Sequence, residues 1–333
     1  MIGFARRHAH PRFEMARKIG SLYQVAPDIA GLRTGISNVY FLGEPGAVNW
    51  VLVDAGLPGY ARRIRHAAEE RFGAGAKPAA IILTHGHFDH VGALRSLLEH
   101  WNVTVFAHRL EMPYLTGRSS YPPPDPSVGG GMLAWMASIY PKGPIVLGSH
   151  VQPLPVDGSV PGALGWRWIH TPGHSSGHIS LFRESDRALI AGDALVTVRQ
   201  ESLLAVLRQE PEVHGPPAYF TSDWEAARES VEQLISLNPR MVATGHGIPL
   251  RGDEMIIELR ELGTHFDALA LPRQGRYVRH PAIADQTGVV SLPPQAEHPV
   301  QRALFLGASA FLIAWLGGTI IQSLRNRRSR FIE

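Results

Sequence analysis

The segment THGHFDH at residues 84–90 constrains this chain more than any other feature. It places three imidazoles (His85, His87, His90) and one carboxylate (Asp89) within six residues. Such a cluster makes a poor core, because every buried polar group needs its own partner. It lies where a short apolar run (79–83) ends and a helical pattern begins (91–100, apolar at Val91, Leu94, Leu97 and Leu98). Loops at that kind of junction project side chains into a crevice, and neutral imidazole is the commonest protein ligand for zinc and similar ions. Alternate positions 85 and 87 can point one way from extended backbone, while 89 and 90 turn toward a second point. One short loop can therefore serve two cations.

The sequence contains no cysteine. That removes disulfide frameworks, thiolate zinc sites, iron–sulfur clusters and cysteine nucleophiles together. Three further elements offer donors: His174 in TPGHSSGH, Asp193 in AGDA and His246 in TGHG. Each follows an apolar strand-like run (166–170, 188–191, 240–244) and is flanked by glycine, which lets backbone approach closely. One such residue would carry little weight; four sites in order along one sheet edge form a pattern. Strands at 38–42 and 50–54, a helix at 60–72, a strand at 79–83 and the helix at 91–100 form a first group. Strands at 166–170, 179–182 and 188–191, a helix at 223–237 capped by Ser222 with Glu225, and a strand at 240–244 form a second. The chain thus reads as two α/β halves in succession.

With LVDAG (Asp54), THGHFDH, PGHSSGH, AGDA and GHG in this order, residues 31–252 resemble the metallo-β-lactamase-fold superfamily, in particular its glyoxalase II-like hydrolase branch. The resemblance implies an α/β fold, an αββα sandwich with a two-metal site at the sheet edge. Carried over residue by residue, it implies that His85, His87 and His174 hold one ion and that Asp89, His90 and His246 hold the other, with Asp193 bridging them. It also puts Asp54 behind a ligand, as an orienting group. The implied cofactors are two divalent metal ions, zinc first, with iron or manganese also compatible with nitrogen and oxygen donors. His170 and His178 match no ligand position and read as structural.

Two such ions about 3.5–4 Å apart can hold a hydroxide between them, because coordination lowers the pKa of water from about 15.7 toward 7. Asp89 is then the residue expected to steer that nucleophile or carry its proton. No Ser–His–Asp triad is needed for this chemistry, and Ser175 and Ser176 read as neighbours of His174. The reading is a binuclear metallohydrolase cleaving an ester, lactone or thioester. Residues 109–165, with YPPPDPSVGGG and many aromatic and methionine side chains, are expected to form a lid-like insertion giving a fairly apolar substrate pocket. Tyr114, Tyr121, Trp135 and His214 are its candidate lining. Two alternatives survive: an iron-dependent persulfide dioxygenase, which needs much the same donors, and a membrane-tethered non-enzymatic binding protein. A net charge of +3 without a dense basic stripe disfavours nucleic acid as a partner, leaving a small molecule.

The ends differ from the middle. Residues 1–20 read as a basic arm without the apolar core of a secretory signal, and 21–270 as the catalytic domain. Residues 271–302, with five prolines, read as an extended linker. Residues 303–324 carry no charge and are bounded by Arg302 and Arg325. At about 1.5 Å per residue, they would cover a hydrocarbon layer of roughly 30 Å as a transmembrane helix, followed by a basic tail at 325–333. The expectation is membrane association through the C-terminus with the catalytic domain in the cytoplasm.

Overall fold

A computed structural model describes residues 18–295. A seven-stranded sheet runs in chain order: β1 (Leu22–Ala26), β2 (Ile29–Thr34), β3 (Ser37–Leu42), β4 (Val51–Val53), β5 (Ala80–Ile82), β6 (Val105–Ala107) and β7 (Val151–Pro153). It is antiparallel from β1 to β4 and parallel from β4 to β7. A five-stranded sheet has the order β12-β11-β10-β9-β8, with β8 (Trp166–His170), β9 (Ile179–Arg183), β10 (Ala188–Ile190), β11 (Met241–Ala243) and β12 (Leu250–Arg251).

The central strands β4, β5, β6, β10 and β11 read as unbroken apolar runs because both faces of each sheet are covered. Side chains alternate between the two faces. Val39, Phe41 and Leu52 point into an outer cluster with Trp50, Ile64, Phe72, Leu94 and Trp101. That cluster seats helices α1 (Ala61–Phe72) and, beyond a four-residue α2 (Phe88–Val91), α3 (Leu94–Trp101). Tyr40, Leu42, Val51 and Val53 point the other way, into a cluster shared with Ile179, Leu181, Ile190 and Ala243 of the second sheet. Phe182, Leu189 and Val242 on that sheet's far side meet Trp224, Val231, Leu234 and Leu259. The result is helix, sheet, sheet, helix: the expected αββα sandwich.

Several boundaries differ from expectation for local reasons. The helix expected at 91–100 begins earlier, as α2, and breaks at Gly92-Ala93. There the backbone bonds outward: Ala55 N–H donates to the His90 carbonyl (2.6 Å) and Gly92 N–H to that of Gly56 (2.8 Å). Asp89 and His90 thus sit on a helical turn. Asp223, rather than Ser222, caps the helix at Trp224–Ser236, accepting from Ala226 N–H at 3.1 Å. Strands β1 and β2 were not expected.

The insertion 109–165 is built into the body: it supplies edge strand β7 and buries Tyr114, Leu115, Tyr121 and Ala134. The described part of the expected linker is also folded. Tyr277 is buried, with its hydroxyl donating to the Pro123 carbonyl (2.7 Å), and a hairpin of β13 (Ile283–Asp285) and β14 (Gly288–Ser291) follows. Proline density blocks a long regular element there but does not prevent an aromatic anchor from docking. Among the described residues no helix is long and apolar enough to cross a membrane. The expected transmembrane helix at 303–324, the basic tail and residues 1–17 of the arm lie outside the described residues.

Candidate metal centre

Strands β5, β8, β10 and β11 all end at one edge of the sandwich, and the loop after each brings donors there. His85 and His87 follow β5, with Asp89 and His90 on the adjoining α2; His174 follows β8, Asp193 follows β10 and His246 follows β11. The seven residues are buried and fall into three overlapping groups able to hold an ion: His85/His87/His174, His85/His90/Asp193 and Asp89/His90/His246. Within each group the donor atoms lie within 4.8 Å of one another. His87 Nδ1 is 2.9 Å from His174 Nε2. Asp193 Oδ2 stands between the clusters, 3.0 Å from His246 Nε2, 3.4 Å from His174 Nε2 and 3.5 Å from His90 Nε2. Asp89 Oδ2 is 3.5 Å from His246 Nε2 and 3.9 Å from His90 Nε2.

The donors fit cations rather than one another. His85 Nε2, His90 Nε2 and Asp193 Oδ1 are buried with no hydrogen-bond partner, a costly condition unless something else satisfies them. The opposite nitrogens are held. The Thr84 hydroxyl donates to Asp54 Oδ2 at 2.8 Å, leaving its oxygen only lone pairs for His85 Nδ1, 3.1 Å away. His85 Nδ1 must therefore carry the proton, which leaves Nε2 bare. Asp54 Oδ2 also receives His90 Nδ1 at 2.9 Å, and the Ile36 carbonyl receives His246 Nδ1 at 2.7 Å. His178 acts on Asp193, whose backbone N–H donates to its Nε2 at 2.9 Å. Such outer contacts fix tautomer and ring direction.

The electrostatics divide the site. Burial first, then the neighbouring imidazoles, hold His85 and His174 far below the ordinary histidine range and His87 down to about 3. These three stay neutral donors. For His90 and His246, burial works toward the neutral ring but is outweighed by Asp193 and Asp89, joined at His90 by Asp54, so both are raised. For Asp193, burial is outweighed by His246 and His90, which hold it well below the usual carboxylate range. One half is thus a nest of neutral imidazoles and the other a charged His–Asp network.

Of the expected pocket residues, Tyr121 packs its ring edge-on against His87 (4.6 Å between centroids) and Tyr114 stacks behind Tyr121 at 3.9 Å. Trp135 instead stands 54% exposed, and His214 pairs through its backbone with Val196. His170 stacks on His108 (4.2 Å) outside the donor cluster. Sequence reasoning missed Phe220, stacked on His87 at 4.4 Å. It also missed Asn38, which donates to the Thr244 and Gly247 carbonyls (3.0 and 2.7 Å) and ties down the His246 loop. A polar residue opening an otherwise apolar strand was the available signal for Asn38; Phe220 left none.

Comparison with known proteins agrees with this architecture. The family described as "Metallo-beta-lactamase superfamily" matches residues 32–246. The chain is 49% identical over 251 residues to "Probable metallo-hydrolase YflN" of Bacillus subtilis (strain 168), covering 75% of this chain and 95% of that one. It is 29% identical over 197 residues to "Probable metallo-hydrolase YybB" of the same organism, covering 59% and 74%. Among solved structures, a beta-lactamase domain protein from Burkholderia ambifaria superposes with a TM-score of 0.52 at 22% identity, covering 75% of this chain and 78% of that one.

Proposed function

Because the chain belongs to the metallo-beta-lactamase superfamily, we propose that it is a binuclear metallohydrolase cleaving an ester, lactone or thioester bond in a fairly apolar small molecule. The observation that carries this reading is the convergence of seven buried side chains from four strand ends, with three of their polar atoms left unpartnered. His85, His87 and His174 would hold one divalent ion and Asp89, His90 and His246 the other, with Asp193 reaching both. When bound, two such ions supply Lewis acidity toward a carbonyl and acidify water from about 15.7 toward 7. Zinc suits this all-nitrogen-and-oxygen donor set, and iron or manganese suit it as well.

The protein's own groups do the rest. Asp89, buried and facing His246, is the carboxylate suited to steer the attacking water and accept its proton. His178 and Asp54 hold Asp193 and His90 in register. Phe88, Tyr140 and Phe220, with ring centroids 5.6–6.2 Å apart, form an apolar cluster running up to His87 and support an apolar acyl or lactone group. Membrane attachment through residues 303–324, with the domain facing the cytoplasm, is part of the same proposal; protease protection in vesicles of known orientation tests it.

The test of activity is metal analysis of the purified full chain with turnover of a p-nitrophenyl ester, an acyl-homoserine lactone and an acyl thioester. Hydrolysis abolished by chelation and restored by zinc, and lost in Asp89→Ala, is expected. Tightly held iron with oxygen uptake on a persulfide would replace the proposal by a dioxygenase. A metal-free protein inert toward all of these would make it a binding protein.

A further inference from the structure

Glu111 lies in the insertion, in no motif, and is completely buried. Its carboxylate collects four donors. Oε2 accepts from Gly86 N–H (3.0 Å) and from the Tyr121 hydroxyl, while Oε1 accepts from the Ser175 hydroxyl (2.8 Å) and Gly177 N–H (3.0 Å). Gly86 separates His85 from His87, and Ser175 follows His174. One carboxylate therefore grips the chain beside all three residues of the three-imidazole group, across two loops 87 residues apart at their histidines.

The surroundings are shaped around this carboxylate. A Cβ on Gly177 would lie 2.8 Å from Glu111 Cγ and Oε1, and one on Gly86 would lie 2.4 Å from the Tyr121 hydroxyl. Neither loop could approach so closely carrying a side chain. Tyr121, while donating to Glu111, also packs on His87, so His87 is held by Phe220 stacked at 4.4 Å and Tyr121 edge-on at 4.6 Å. Burial is the largest influence on Glu111 and drives its pKa up, while the four hydrogen bonds pull it back toward the charged form.

We infer that Glu111, with Tyr121, is the positioning residue of the three-imidazole metal group: it sets the separation of the two ligand loops without touching metal or substrate. This rests on the proposal that the group binds metal, but not on which bond is hydrolysed. A carboxylate suits the task because it only accepts. In Glu111→Gln the amide nitrogen must face one of the two backbone N–H groups whichever way it turns. The hydroxyl beside it can rotate and accept; the backbone group cannot.

The experiment is a stepwise Zn2+ titration of the metal-free full chain against a chromophoric chelator. His246→Ala, which breaks only the Asp89/His90/His246 group, assigns the two steps. In Glu111→Gln the three-imidazole step should weaken about 10–100-fold, the usual effect of removing an outer-shell partner, with the other step moved less than about threefold. Tyr121→Phe, which leaves the carboxylate and three donors in place, should weaken the same step by a smaller factor and keeps the test decisive if Glu111→Gln does not fold. Leu259→Ala, in the cluster on the far face of the second sheet, serves as a destabilised control whose metal affinities should match the parent's. Unchanged affinity for the first ion in the folded Glu111 and Tyr121 variants overturns the inference, as does equal weakening of both steps or equal weakening in Leu259→Ala. Loss of hydrolysis with intact metal binding would sink the proposed activity and leave this inference standing.

Discussion

Asp54→Asn isolates how tautomers prepare the metal centre. Asp54 has a left-handed backbone (φ 61°), a region asparagine tolerates well, so the main chain need not move. Its Oδ1 accepts Thr84 N–H at 2.8 Å, and Oδ2 accepts from both the Thr84 hydroxyl and His90 Nδ1. If the new amide nitrogen faced Thr84 N–H, two donors would collide, and the stranded buried N–H would cost about 1–3 kcal/mol. The amide therefore turns its nitrogen to the other side. There it donates to the Thr84 oxygen, whose proton swings to His85 Nδ1, and to His90 Nδ1.

The neutral His85 then favours the tautomer with the proton on Nε2, the atom that faces the donor cluster, and the amide opposes a proton on His90 Nδ1. Metal-free stability should fall by about 1–3 kcal/mol, since the hydrogen bonds are re-made but the charged His90 loses the carboxylate facing its Nδ1. Metal binding must break about one of them at each ring, roughly 1 kcal/mol or fivefold apiece. Loss of the carboxylate charge behind His90 adds to this, giving a fall of about 10–100-fold in affinity. Chelator competition measures the affinity, urea unfolding of the metal-free protein measures the stability, and 15N shifts of the His85 ring report which nitrogen is bare. A variant that binds both ions as tightly as the parent, or keeps His85 Nε2 bare, refutes the reasoning.

Chelation should lower the melting temperature as well as activity, because ligands bound only by the folded state stabilise it; Zn2+ at about 100 times its Kd should restore about 2.7 kcal/mol. Asn38→Ala should cost about 1–3 kcal/mol in a denaturant midpoint, because it strips the Gly247 carbonyl of its Asn38 donor, while the Thr244 carbonyl keeps the Tyr40 hydroxyl at 2.7 Å. The stacked His108–His170 pair predicts acid sensitivity. Burial, then mutual repulsion and Arg109, hold His108 down to about 3, and burial lowers His170. The unfolded chain therefore binds more protons than the folded one between about pH 6.5 and 3, so stability is present above about pH 6.5 and falls as acid is added. His108→Phe should flatten that fall in urea midpoints compared at pH 5 and 7.5; an unchanged slope would rule the pair out as its source.

What the sequence carried about the site was local. Three imidazoles and a carboxylate in six residues, and single donors after apolar runs, are short-range patterns, and the fold brings all seven to one edge. The runs also marked the central strands, since strands covered on both faces stay apolar along their length. The misread segments were those whose structure depends on distant partners. The proline-rich stretch after Ala270 looks extended by composition, yet Tyr277 docks through a hydrogen bond spanning 154 residues. Trp135 reads as pocket lining from its place in the insertion, but the short helix Met132–Trp135 turns Leu133 and Ala134 inward instead.

Residue types and their spacing by themselves determined which atoms could coordinate a cation and that they would follow strand ends. Only the tertiary structure decided which of their nitrogens is bare, which aromatic rings press on His87, and that Glu111 joins two loops. Those facts depend on hydrogen bonds and ring contacts between residues far apart in the chain, and such contacts leave no period in a sequence.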